Sequence, residues 1–127
     1  ESPYAACRRE VLEELGISPV IGALLVVDWA PNAQEGDKVL YVFDGGLLQQ
    51  GDWHAIEIAS DELLTAKFQP PEALDELLIP RLARRVKQAI TAREQAHPQY
   101  LEHGEPMPAS LTGLTAVSPS RHRPVAR

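Results

Sequence analysis

ESPYAACRREVLEELGI, residues 1–17, is the stretch whose reading decides the fold. It reads as one amphipathic helix punctuated at both ends. Ser2 can cap its start, Pro3 suits its first position, and Gly16 stands where a left-handed residue closes it. The predicted helix runs over residues 2–15. At ~100° per residue, Glu10, Glu13 and Glu14 share a face with Ala6. Tyr4, Val11, Leu12 and Leu15 take the opposite face and can bury against a sheet. Arg9 flanks the carboxylates and can pair with Glu13 one turn on, while Arg8 projects toward the apolar side and can snorkel to an edge. Three clustered carboxylates repel one another, and a hard divalent cation with oxygen ligands relieves that repulsion. Taken alone, a solvated acidic face is the simpler reading of these three residues.

Beyond the helix, Val20 to Trp29 (VIGALLVVDW) predicts a buried strand over 20–29. Lys38 to Asp44 (KVLYVFD) predicts a second over 38–44, broken by Gly45-Gly46. The loop between them is too short for a parallel crossover, so the two strands form an antiparallel pair. The alternation HAIEIA predicts a third strand over 54–59. From Pro71 the pattern turns helical, and helices are expected over 72–96 with a division at Pro80. The expected domain covers 1–96. Residues 97–127 read as a Pro-rich, basic and partly disordered tail. Three strands make a thin two-layer core, and the apolar central pair wants neighbours.

At 127 residues, 44% hydrophobic, the chain suits one domain with one modest core. A formal charge of -6 argues against nucleic acid, which needs a basic surface. It leaves room for a phosphate-bearing small molecule bridged by a divalent cation. Cys7 is the single cysteine, which excludes an intrachain disulfide and favours a reducing, cytoplasmic setting. The longest apolar run falls far short of the ~20 residues that cross a bilayer, so no membrane partner is expected.

The flanks of the acidic cluster add a specific signal. Glu1, a gap of seven, Arg9-Glu10-Val11, one residue, Glu13-Glu14, one residue, then Gly16-Ile17 resembles the Nudix box from its first glutamate onward. The resemblance implies a Nudix-type α/β/α sandwich with a mixed sheet, whose N-terminal strands would lie upstream of residue 1. Looser similarity in GALLVVDWAP, EGDKVLYVFDGG and YLEHGEP is to bacterial members. The activity implied is hydrolysis of a nucleoside diphosphate linked to another moiety, by water attack on phosphorus. Carried over by position, Glu10, Glu13 and Glu14 become ligands for Mg²⁺, with Mn²⁺ as the alternative. Glu10 and Arg9 become catalytic residues, and Glu1 and Gly16 orient the motif, Glu1 by pairing with Arg9. The implied partner is a nucleotide-derived small molecule, and members of the family often form homodimers. A nucleotide-binding module without catalysis is the alternative reading.

Other residues carry weaker signals. Glu57 and Glu62 are candidates for an additional base or ligand, against a simpler reading as surface residues. Arg81, Arg84 and Arg85 form a basic stripe that reads first as a solvated helix face. His54 and His103 lack metal-ligand spacing. Trp29 reads as core, Trp53 as a loop aromatic able to stack on a base, and Cys7 as a small packed residue.

Overall fold

The structure is a computed structural model that describes residues 1–56 and 66–107. Its first element is helix α1, Pro3–Leu15. The Ser2 hydroxyl accepts a hydrogen bond from the Ala5 N–H at 3.1 Å, and Pro3 opens the first turn. Gly16 adopts a left-handed φ of 71° and returns its N–H to the Leu12 carbonyl at 2.9 Å. The cap works because glycine carries no Cβ to clash in that conformation.

Strands β1 (Leu24–Ala30) and β2 (Lys38–Phe43) pair antiparallel, with Trp29 opposite Val39 and Val27 opposite Tyr41. The first strand therefore starts four residues later than the apolar run VIGALLVVDW predicts. Val20 is 88% exposed. A bulge between Leu24 and Val26 ends the regular ladder, and Gly22 and Ala23 continue it irregularly through bonds with Asp44.

The expected strand over 54–59 is not what the chain forms where it is described. His54 and Ala55 lie in helix α2, Gln50–Ala55, and residues 57–59 fall outside the described residues. Here the Trp53 ring tilts against Phe68, with centroids 4.6 Å apart. Six residues of alternation are a weak strand signal, and tertiary contacts such as this one override it.

Pro71–Ala73 makes a 3-10 turn that leads into α3, Leu74–Leu77. Helix α4, Pro80–Gln95, begins at the predicted proline break. The tail expected over 97–127 instead starts with two strands. Strand β3 (Gln99–Glu102) pairs parallel with β1, and β4 (Glu105–Pro106) pairs antiparallel with β3. The sheet is mixed, in the order β2-β1-β3-β4. The α4 helix supplies the crossover that a parallel β1/β3 pair requires.

Residues alternate across the sheet. Val26, Asp28 and Leu101 point to one face and are fully buried, where Ala83, Ala89 and Ala92 of α4 are buried as well. The small alanines let the helix backbone approach the sheet, and Val26, Ala89 and Leu101 form the core with Leu25 and Val42 against it. Full burial of Leu101 alone is worth about 1.5–3 kcal/mol. The other face carries Val39, Tyr41, Trp29 and Tyr100, all exposed. Trp29 thus leaves the core that its apolar strand suggested, because it alternates away from Asp28. Helix α1 meets this face at one corner, where Tyr4 packs edge-on to Phe43 and its hydroxyl donates to the Ile21 carbonyl at 2.9 Å. Among the described residues, no helix is long and apolar enough to cross a membrane.

Asp28 needs a partner, since a buried carboxylate without one is costly. It has two. Arg85 on α4 donates from Nε to Oδ2 at 2.6 Å, and the Gly104 N–H donates to Oδ1 at 3.0 Å. Arg84 donates to the His103 carbonyl and pairs with Glu105. Two of the three arginines expected on a solvated stripe instead tie α4 to the sheet and its last turn.

Candidate active site

The motif helix projects its charged residues in two directions. At ~100° per residue, Glu13 and Glu14 straddle Glu10, and Arg9 lies next to Glu13 rather than Glu14. Arg9 occupies the centre of an acidic clamp. Its Nε and Nη2 donate to the Glu1 carboxylate at 2.9 and 2.8 Å, and Nη1 donates to Glu13 Oε2 at 3.0 Å. Glu10 stands 3.8 Å from the same guanidinium. The hydrogen bonds from Arg9 hold the Glu1 carboxyl below the usual carboxylate range, and Glu1 in turn raises the Arg9 guanidinium. All of these groups are well exposed, so the clamp organises the helix start more than it stabilises the fold.

Glu10 and Glu14 take the other direction. With Ala6 one turn earlier, they line a cavity of about 870 Å³ between α1, β2 and the segment at Ala66-Lys67. Val39 and Tyr41 of β2 line it too, as do Cys7 and the cationic residue Lys67. Glu13 is not among the lining residues. The three carboxylates expected to act together are therefore divided. Glu10 and Glu14 face one cavity, and Glu13 is turned to Arg9. Among the described residues, no three His, Cys, Asp or Glu side chains gather into a metal-holding group.

The pair that remains still suits a hard cation. Mg²⁺ is commonly held by one or two carboxylates, with water and substrate phosphate completing its shell. Glu10 and Glu14 are exposed, acceptor-only oxygens one helical turn apart on a roomy cavity wall. That donor set fits such an ion and does not suit a soft one.

The remaining sequence candidates divide as well. Gly16 closes α1 and holds the exit of the motif. Arg81 is exposed, and Arg84 and Arg85 are engaged elsewhere. His103 sits in the β3–β4 turn, and His54 in α2. Glu57 and Glu62 lie outside the described residues. Tyr41, Val39 and Lys67 line the cavity without belonging to any sequence motif. The two-residue alternation of β2 already places Val39 and Tyr41 on one face. Nothing local marks Lys67, which comes to the cavity only through the tertiary fold.

The fold is α/β, a mixed sheet with a carboxylate-bearing cavity beside the motif helix. The family model described as the NUDIX domain matches residues 1–92, and the chain belongs to that family. A search of curated proteins and a search of solved structures each find no match. Membership points to hydrolysis of pyrophosphate bonds in nucleotide-derived small molecules, chemistry for which the family generally uses divalent cations.

Proposed function

We propose that this chain is a Mg²⁺-dependent Nudix hydrolase that cleaves the diphosphate linkage of a nucleoside diphosphate joined to another moiety. The observation that carries the reading is the placement of Glu10 and Glu14 on one wall of the cavity beside α1. Those two residues would hold the cation, which when bound supplies charge neutralisation and polarisation of the phosphate. Mn²⁺ has the same preference for oxygen and is the alternative ion. Glu10 is also the general base of the proposal, because it lines the cavity and is open to water. Arg9 does not line that cavity. Its proposed role is positional, holding Glu1 and Glu13 so that the first turns of α1 keep their geometry. Attack by water on phosphorus then yields a monophosphate product. The proposed setting is the cytoplasm, supported by a lone cysteine, and the proposed assembly is a homodimer, supported by Trp29 and Tyr100, which are exposed on the sheet outside the cavity.

The test is a calorimetric Mg²⁺ titration together with turnover of a panel of nucleoside diphosphate derivatives. Glu10→Gln and Glu14→Gln are expected to weaken Mg²⁺ about tenfold or more, and Glu13→Gln much less. Absence of turnover, with Mg²⁺ binding indifferent to Glu10 and Glu14, would replace the hydrolase with a nucleotide-binding module.

A further inference from the structure

We propose that Lys67 is the phosphate-positioning residue of the α1 cavity, supplying a cation that the motif helix does not bring to that cavity. The inference rests on reading that cavity as the diphosphate site, and it concerns a residue far outside the motif. Three carboxylates, from Glu1, Glu10 and Glu14, line the cavity. The charge of Glu1 is already taken up by Arg9. Glu10 and Glu14 together balance one divalent cation. A diphosphate diester brings two further negative charges, which that balance leaves uncompensated.

Arg9 does not supply the compensation, because it does not line this cavity and its guanidinium is turned to Glu1 and Glu13. Among the described residues, Lys67 is the one cationic side chain on the lining. The three lysines of the chain differ in a telling way. Lys38 is paired with Glu35, and Lys87 with Asp75. Lys67 has no such partner among the described residues, although three glutamates line the same cavity. A compact charge on a flexible four-carbon stem can follow a phosphate without demanding one fixed geometry. Lys67 enters from the segment after the β-sheet pair rather than from α1, so it can hold a phosphate oxygen independently of the cation at Glu10 and Glu14.

Calorimetric titration of inorganic pyrophosphate into the full chain, with Mg²⁺ and again with a chelator, tests this. Lys67→Met is expected to weaken pyrophosphate about fivefold with Mg²⁺ present, the scale of an exposed ion pair, while Mg²⁺ alone binds as before. Lys67→Arg should recover most of the loss, and Lys87→Met, which removes a surface charge paired with Asp75, should change nothing. Pyrophosphate binding that is equal in Lys67→Met and the natural chain, or absent from the natural chain under both conditions, overturns the assignment. Lys67-dependent pyrophosphate binding without any Mg²⁺ binding would sustain the role of Lys67 and sink the metal reading instead.

Discussion

Arg85→Met is the substitution with the most exacting consequence. Asp28 is fully buried and Arg85 only 11% exposed, with 2.6 Å between donor and acceptor. Methionine fills much of the same volume but leaves the Asp28 carboxylate with the Gly104 N–H as its remaining partner. Breaking a buried pair in this way costs about 3–5 kcal/mol, because the orphaned charge keeps its desolvation penalty and loses its attraction. For a chain of this size that lowers the melting temperature by roughly 10 °C or more. The double variant Asp28→Asn with Arg85→Met separates charge from packing. Asparagine keeps an acceptor for the Gly104 N–H but no charge that needs a cation. The double variant should therefore be more stable than Arg85→Met alone. Thermal and urea unfolding followed by circular dichroism measures both. An Arg85→Met protein within about 1 kcal/mol of the natural chain, or a double variant showing simple additivity, would refute the reasoning, since contacting groups couple by about 0.5–3 kcal/mol.

Further outcomes follow from the same structure. Leu101→Ala should cost about 2–5 kcal/mol, because Leu101 is fully buried against α4, and unfolding curves will show a small loss instead if β3 is not part of the core. Gly104→Ala should destabilise by about 1–3 kcal/mol, since φ is +75° there and a Cβ would meet the Arg81 carbonyl at 2.9 Å; a neutral melt would contradict the turn geometry. Glu1 has its carboxyl pulled below the usual range by Arg9, so its small contribution to stability is present above the ordinary carboxylate pKa and lost as pH falls through the lowered value. Carbon-detected NMR titration of Glu1 should show that midpoint return to the ordinary range in Arg9→Leu, and an unmoved midpoint would remove the clamp.

Local chemistry wrote the motif helix into the chain. Ser2, Pro3 and Gly16 act within one or two turns of themselves, so their roles at the ends of α1 can be read without knowing anything distant. The antiparallel β1/β2 pair was legible for the same reason, a short loop between two apolar runs. The β3–β4 hairpin does carry a local sequence signal. His103-Gly104 joins Glu102 to Glu105, and both turn residues take positive φ, at 52° and 75°. A four-residue strand that lies parallel to β1, with Gln99 opposite Val26, has no local period to announce it. Its stability comes from Leu101 meeting Val26 and Ala89 across the fold.

The division of the acidic face belongs to the same category. Spacing put Glu10, Glu13 and Glu14 together, because i, i+3 and i+4 neighbours share a helix side. Which of them meets a cavity depends on what stands beside the helix, and β2 stands on the Glu10 and Glu14 side while Arg9 and Glu1 claim Glu13. Asp28 shows the converse. An acidic residue inside an apolar strand signals that some partner exists, but the cation that answers it is fifty-seven residues away on α4. Short-range geometry and caps are properties of the chain itself. Partners for buried charge, the central parallel strand and the lining of the cavity exist only once distant segments share a surface.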